Sequence, residues 1–204
     1  MSLQVRKATV EDVPAIVDTF FDAFHDHPLT IRSFTPRTES VQKYWIETID
    51  ADMRDPSTHF LVITDSAAAD PERILAFGKW RDMLTSTSPE APAPPSWPEG
   101  ADVPFTEKFF GTVEKKHIEI MKDRPHWYLD MLGVRKELQR KGAGSRLVQW
   151  GVAKADEAGV EAYLAASPAG APMYKKHGFE IHETVPMGEE GRLETFMVRP
   201  AKKP

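Results

Sequence analysis

The chain has no cysteine among its 204 residues. A disulfide framework, a cysteine nucleophile and a thiolate metal site are therefore excluded together. No apolar run is long enough to span a membrane, and the opening MSLQVRKATVEDV lacks the apolar stretch of a signal peptide. The seven histidines show no HExxH or similar ligand spacing, and the net charge of −5 argues against a general nucleic-acid binder. These absences predict a cytoplasmic protein that binds no metal, nucleic acid or membrane.

Strand and helix patterns alternate along the chain, and its 41% of hydrophobic residues is enough to bury a core at this length. The predicted strands cover residues 3–8, 60–64, 74–80, 127–134, 162–166, 179–185 and 193–198. Helices are predicted at about 10–25, 38–53, 105–121 and 172–177, with a further helix that ends at Gly159. This order predicts an α/β (α+β layered) fold. We expect a single domain over residues 1–204, with residues 82–123 inserted as a proline-rich loop and a helix.

The stretch QRKGAGSRL, residues 139–147, lies between a predicted strand and a predicted helix. Gly142 and Gly144 lack a Cβ and allow the backbone to approach a ligand closely. The free N–H groups and the dipole of the following helix form an anion site, which nearby lysines and arginines reinforce. Neither the Rossmann nor the Walker pattern is present, because Leu147 replaces the third glycine and no GK[ST] occurs. The stretch indicates a phosphate or pyrophosphate site, with a ligand-free tight turn as the alternative.

The pattern Q-x-x-G-x-G that begins at Gln139 resembles the acetyl-CoA site of the GNAT acetyltransferase superfamily. A second match is APMYKKHGF, residues 171–179, where that family has a tyrosine on a short helix followed by Gly-Phe. The opening ATVEDVPAIVDTFFDAFHDHP is similar to the start of puromycin-type and related small-molecule acetyltransferases. The strong resemblance covers about residues 127–185. It implies a mixed, mostly antiparallel sheet flanked by helices, with acetyl-CoA as co-substrate.

The resemblance also implies which residues contact the cofactor. Backbone groups of Leu132, Gly133 and Val134 are expected to pair with the pantetheine arm like an added strand. The pyrophosphate is expected at the loop formed by Gln139, Arg140, Lys141, Gly142, Ala143, Gly144 and Ser145. Many members of the family carry an asparagine after the next strand, and this chain departs from them with Ser167 near that place.

Acetyl transfer to an amine requires a base for the ammonium and an acid for the departing thiolate. The resemblance implies that Tyr174 lies beside the thioester sulfur as general acid, and a core tyrosine is the alternative. Asp130 is the candidate general base, because a lone acid in an apolar strand must face a wet pocket or have a partner. Strand periodicity predicts that Asp130 shares a face with Tyr128, Leu132 and Val134. A structural aspartate bonded to backbone is equally compatible with the sequence.

The loop AFHDHPLT follows the first helix, where the family often closes over the acceptor. His25 and Asp26 are predicted to bind the acceptor there, and Trp80 to line an aromatic pocket. A solvated turn and plain core packing are the respective alternatives. The leading function is direct transfer of the acetyl group of acetyl-CoA to a primary amine of a small molecule. A protein lysine or N-terminal acetyltransferase, favoured by an open acidic groove, and a non-catalytic acyl-CoA-sensing module remain as alternatives.

Overall fold

The computed structural model describes residues 2–85, 96–187 and 191–202. Seven strands within these residues form one sheet in the order β1-β2-β3-β4-β5-β7-β6. All neighbouring strands are antiparallel except β4 and β5, which pair in parallel. The predicted α/β fold with a mostly antiparallel sheet is therefore confirmed. The strands are β1 (Leu3–Lys7), β2 (Thr58–Asp65), β3 (Ala76–Met83), β4 (His126–Val134), β5 (Glu161–Ala166), β6 (Glu180–Met187) and β7 (Arg192–Arg199).

The sheet is flanked by the helices α1 (Val13–Ala23), α2 (Pro28–Phe34), α3 (Glu39–Arg54), α4 (Val103–Met121), α5 (Ala143–Ala158) and α6 (Ala171–Lys176). Gly159 has φ +67° and ends α5, as the sequence predicts. Helix α2 was not predicted. Pro28 does end the preceding helical stretch, but a proline also fits the first turn of a new helix, and His27 caps that turn. Residues 86–95, in the predicted proline-rich loop, lie outside the described residues.

The side chains of the sheet alternate between two layers of helices. On one face, α5 and α6 pack through Leu147 and Tyr174 onto residues such as Leu164. On the other face, α1, α2 and α3 cover one half of the sheet in a second cluster around Phe77. Helix α4 covers the other half of that face through Met121, which packs with Tyr128, Tyr163 and Phe196. The sheet therefore has an α5/α6 face and an α1–α4 face.

A β-bulge interrupts the pairing of β3 with β4. Lys79 pairs with Met131 and Trp80 pairs with Leu129, so Asp130 is an extra residue on β4. The alternation of side chains shifts at this point. Leu132 and Val134 pack on the α5/α6 face, whereas Asp130 contacts Lys79 on the opposite face. The predicted common face of Asp130 with Leu132 and Val134 is therefore wrong.

A gap opens in the sheet between β4 and β5. Their parallel pairing ends at Leu129 and Leu164. Beyond these residues β4 continues to Val134 along β3, while β5 continues to Ala166 along β7. The two strands thus separate in the middle of the sheet, and the gap lies next to the bulge at Asp130.

A substitution at Gly151 tests the packing of α5 on Trp80. A Cβ added to Gly151 would lie 2.1 Å from the Trp80 ring, whose indole N–H donates to the Leu147 carbonyl at 3.2 Å. We expect Gly151→Ala to destabilise the fold by about 1–3 kcal/mol through overpacking. In the matched variant Gly111→Ala, in α4, the new methyl has open space, and a gain of about 0.5–1 kcal/mol is expected. Urea unfolding measures both, and equal effects would contradict this account.

Candidate active site

The gap between β4 and β5 exposes a stretch of β4 backbone. Among the described residues, the side of β4 that faces β5 has no strand partner beyond Leu129. Leu132, Gly133 and Val134, the residues expected to pair with pantetheine, lie on this stretch. An unpaired strand edge offers N–H and C=O groups to an extended ligand. The Val134 carbonyl already accepts a hydrogen bond from Nε2 of Gln139 at 3.1 Å, which joins the end of β4 to the following loop.

The predicted phosphate loop leads from β4 into the N-terminus of α5. Gly142 caps the helix at φ +86°, in a left-handed conformation that glycine adopts without strain. Arg140 has φ +61°, which is unusual for a residue with a side chain. The first N–H groups of an α-helix have no intrahelical partner, so those of Ala143, Gly144 and Ser145 are available to an anion. The loop therefore has the geometry of an anion site at a helix N-terminus.

The side chains of the loop play different parts. Arg140 and Lys141 are exposed, and neither forms an ion pair within the residues that the structure describes. The Ser145 hydroxyl lies 2.6 Å from Nε2 of His177, so it joins α5 to the end of α6. A Cβ on Gly144 would approach Sδ of Met173 to 3.1 Å. Close packing with α6 is thus a reason for Gly144 that the sequence analysis did not consider.

Tyr174 is a buried residue of α6. The residue is 7% exposed, and its ring packs edge-on against Phe179 at 6.0 Å between centroids. Burial, and secondly the charge of Glu194, raise the pKa of Tyr174 well above its usual range. The phenol consequently stays protonated at neutral pH, as a proton donor must. Ser167, the other residue expected near the cofactor, uses its hydroxyl to accept the Gly170 N–H at 3.3 Å in the turn before α6.

Asp130 belongs to an ion triad with Lys79 and Asp52, in which the lysine is buried and the two carboxylates are partly exposed. The Lys79 ammonium lies 2.7 Å from Oδ2 of Asp130 and 2.6 Å from Oδ2 of Asp52, which comes from α3. Burial alone would raise the pKa of Asp130, but the Lys79 ammonium outweighs it and leaves the pKa below its ordinary value. A carboxylate held in its charged form by an ion pair is a weak base. The geometry therefore gives Asp130 an ion pair at the bulge, which disfavours a role as general base, and that role stays a prediction.

The sequence model of the acetyltransferase (GNAT) family matches residues 21–179. The chain belongs to this family. The match includes the gap, the phosphate loop, Tyr174 and the ion triad, and it identifies the chain as an N-acetyltransferase. The family relation also explains why an unpaired strand edge and a helix N-terminus occur together, since acetyl-CoA combines an extended pantetheine arm with a pyrophosphate.

Solved structures similar to this acetyltransferase have the same fold over nearly the whole chain. The "histone acetyltransferase HPA2 and related acetyltransferase" of Corynebacterium glutamicum is 24% identical, with a TM-score of 0.66 over 100% of this chain and 99% of its own. An N-acetyltransferase from Staphylococcus aureus is 17% identical, with a TM-score of 0.59 over 99% of this chain and 100% of its own. The PaiA N-acetyltransferase of Thermoplasma acidophilum, solved with coenzyme A, is 14% identical. Its TM-score is 0.56 over 98% of this chain and 99% of its own.

Glu194, on β7 of the acetyltransferase, is a candidate site residue that the sequence analysis missed. It is 7% exposed and forms no hydrogen bond or ion pair within the described residues. Burial raises its pKa to about 7, although Arg192 acts in the opposite direction. The signal that pointed to Asp130 was present here too, because Glu194 is the one acid in the predicted strand 193–198.

The residues predicted to bind the acceptor occupy different surroundings. The side chains of His25 and Asp26 are 43% and 80% exposed, and they lie in the turn between α1 and α2. His27 is the histidine of this segment that packs inward, edge-on to Phe109 of α4 at 5.7 Å between centroids. Burial, and secondly the charge of Arg192, lower the pKa of His27 to about 4. Trp80 is fully buried under α5, so its predicted position in a substrate pocket is corrected to core packing.

Helix α4 brings aromatic and imidazole rings to the α1–α4 face of the sheet. His117 stacks on Tyr163 at 4.8 Å and lies 4.5 Å from the Tyr128 ring, measured between centroids. Its Nε2 lies 2.7 Å from Nε2 of His126, whose Nδ1 lies 2.7 Å from the Arg124 carbonyl. These contacts seat the end of α4 over β4 and β5, next to the place where the strands separate.

The remaining features concern a cavity away from the gap, metal sites and membrane-spanning helices. A surface cavity of about 760 Å³ lies between α2 and α3, with Pro36 and Lys43 in its lining. In the part of the chain that the structure describes, no group of three or more histidine, aspartate or glutamate side chains could hold a metal ion. Among the same residues, no helix combines the length and the hydrophobicity needed to cross a membrane.

The ion triad supplies a stability test. Lys79→Met removes the cation that binds both Asp52 and Asp130, and we expect a loss of about 1–3 kcal/mol at pH 7, because the carboxylates are partly exposed. The loss should shrink as the pH falls, because the variant's two carboxylates then take up protons. Lys43, in an exposed pair with Glu47 at 3.8 Å, supplies the control variant Lys43→Met, for which a change within about 0.5 kcal/mol is expected. Similar losses in the two variants, measured by urea unfolding, would contradict the role given to Lys79.

Proposed function

We propose that this acetyltransferase moves the acetyl group of acetyl-CoA directly to a primary amine of a small molecule. The observation that supports the proposal is the position of α4. At its N-terminal end, Thr106 is hydrogen-bonded to Ser33 of α2, and towards its C-terminal end Lys116 lies 2.9 Å from Oε2 of Glu183 on β6. A helix anchored at both ends across this face favours an enclosed site over an open groove that would take a peptide.

The surroundings of the gap favour a small acceptor in a second way. The rings of Tyr128, Tyr163 and His117 pack against one another beside the gap, with Tyr163 fully buried and Tyr128 7% exposed. Aromatic walls with a few polar groups are typical of sites for small molecules, since they bury most of a small ligand. An aromatic wall also suits an ammonium ion, which interacts favourably with the faces of such rings.

In the proposed reaction, the amine nitrogen attacks the thioester carbonyl and the C–S bond breaks with its electron pair on sulfur. Tyr174 then protonates the thiolate. A free tyrosine has a pKa of about 10 and a thiol about 8.5, so the phenol is the weaker acid. Burial raises the pKa of an acid by disfavouring its charged form, as it does for Tyr174. A thiol bound in the same buried site would have its pKa raised for the same reason. The raised pKa of the tyrosine is therefore compatible with proton donation to a buried thiolate.

The proposed function is tested by measuring the release of the CoA thiol over matched panels of acceptors. One panel contains small primary amines, and the other contains peptides with a free N-terminus or a lysine. A small amine with kcat/KM about 100-fold above the best peptide is the expected result. A preference for peptides would transfer the assignment to protein acetylation. Saturable binding of acetyl-CoA without turnover of any acceptor would favour an acyl-CoA-sensing module.

Two variants are expected to separate acid catalysis from cofactor binding. Tyr174→Phe removes the proton donor and should lower kcat about 100-fold, with the affinity for acetyl-CoA unchanged. The double change Arg140→Ala with Lys141→Ala should weaken acetyl-CoA binding by about tenfold, a loss of about 1.4 kcal/mol, because it removes two cations beside the helix N-terminus. Isothermal titration measures the affinities and the thiol assay measures turnover. Unchanged turnover in Tyr174→Phe would exclude Tyr174 as the general acid.

A further inference from the structure

We propose that Glu194 is the general base that takes a proton from the ammonium group of the acceptor. This inference rests on the proposed function, because a base is needed only if an amine is the acceptor. It adds a residue from β7, which is separated by β5 from the edge of β4 along which the cofactor is expected to bind.

The strand register brings Glu194 to the gap. Strands β5 and β7 pair continuously from Ala162 with Arg199 to Ala166 with Thr195, so Glu194 is the next residue of β7, just beyond the end of β5. Side chains two apart on a strand share a face, and Phe196 packs with Tyr163 under α4. Glu194 therefore points to the α1–α4 face. Tyr174 belongs to the α5/α6 face, so the proposed base and the proposed acid flank the gap from opposite sides of the sheet.

The groups that face Glu194 leave it without a fixed partner. Tyr163 from β5 and Tyr174 from α6 both respond to its charge, and Arg192 on its own strand is the nearby cation. Besides burial, the charge of Arg192 lowers the pKa of His27 at the start of α2, so Arg192 lies near both segments. None of these groups forms a hydrogen bond or an ion pair with Glu194 in the described part of the chain.

The burial of Glu194 without a partner in the described residues favours a cationic ligand. The residue is 7% exposed, but its carboxylate oxygens are not among the fully buried, unpartnered atoms of the described residues, so a ligand can reach them. A carboxylate in such surroundings is costly to bury unless something bonds to it. An ammonium ion meets this need, because its N–H groups can donate to the carboxylate.

The protonation chemistry of Glu194 suits this task better than that of Asp130. A general base works best with a pKa near the operating pH, and the pKa of Glu194 is raised to about 7. Asp130 is paired with Lys79, which leaves its pKa below the ordinary value. The pKa values of Asp130 and Glu194 are thus shifted in opposite directions. Burial also raises the pKa of Asp52, but the Lys79 ammonium holds that carboxylate, whereas it does not hold Glu194.

The proton and electron balance of the step is complete without a further reactant. The Glu194 carboxylate takes one proton from the ammonium, and the nitrogen lone pair then forms the C–N bond. When the C–S bond breaks, sulfur keeps the electron pair and takes the proton of Tyr174. The protonated amide loses its extra proton to the tyrosinate, and Glu194 releases its own proton to solvent.

The test compares Glu194→Gln with wild type and with Glu180→Gln, which makes the same change at an exposed position of β6. The acceptor is the best amine found in the thiol assay. We expect kcat/KM to fall about 100-fold in Glu194→Gln and to stay within about twofold of wild type in Glu180→Gln. In wild type, kcat/KM should rise with pH to a plateau above about 7, because the carboxylate form is the active one. In Glu194→Gln the rise should continue towards the pKa of the amine.

A stability measurement separates the proposed role from a structural one. Because folding raises the pKa of Glu194, the wild type should lose stability as the pH rises through about 7, whereas the neutral glutamine is insensitive to pH. Above pH 7, Glu194→Gln should therefore melt at the same temperature as wild type or higher, and it should bind acetyl-CoA with unchanged affinity. A loss of activity that accompanies lower stability or weaker cofactor binding would overturn the proposal.

The outcomes distinguish this inference from the proposed function. If wild type acetylates an amine, and Glu194→Gln keeps its turnover or its pH midpoint, the role of Glu194 is overturned and the proposed function stands. If wild type acetylates peptides only, the small-molecule proposal fails, and the same pH comparison with the best peptide decides the role of Glu194. Absence of turnover with every acceptor would overturn both.

Discussion

The candidate site depends on the separation of β4 from β5 beyond Leu129 and Leu164. A continuous sheet would satisfy the backbone of both strands and leave no place for an extended ligand. The bulge at Asp130 lies next to Leu129, where the parallel pairing with β5 ends. In the proposed mechanism the phosphate loop, Tyr174 and Glu194 act around this opening. The break exposes backbone of β4, and the proposal requires it to connect the two faces of the sheet so that groups from both can act on one acetyl group.

The two carboxylates near this opening illustrate how surroundings decide the role of a side chain. Asp130 and Glu194 are each a lone acid in an apolar strand, and burial acts on both. Lys79 reaches Asp130 and keeps it charged, whereas no comparable cation bonds to Glu194 in the described residues. The pKa values are consequently shifted in opposite directions. Pairs of this kind commonly divide structural or electrostatic roles from proton transfer within one site.

The sequence was sufficient where the signal is local. Hydrophobic periodicity predicted each strand, and the glycines of residues 139–147 predicted the turn into α5, where the anion site itself stays a prediction. Long-range contacts account for most of what was missed. The side-chain periodicity of β4 shifts at Asp130 because of its pairing with β3, and the ion-pair partner of Asp130 is Lys79 of β3, which also binds Asp52 of α3. Trp80 was assigned to a pocket because its burial under Gly151 depends on the position of α5. Glu194 was missed although its local signal was present, since its importance appears only when β7 is placed beside the gap.

Helix α4 connects β3 and β4, which are adjacent antiparallel strands that a short hairpin could join equally well. The register of the sheet therefore does not require this helix, and the cofactor loop and Tyr174 lie outside it. The length and the outward-facing residues of α4 can therefore vary without a change of register, provided that Met121 still covers Tyr163 and Phe196. The sheet thus tolerates, between two of its strands, a long detour of chain whose exposed side is free to differ from the order imposed by strand pairing.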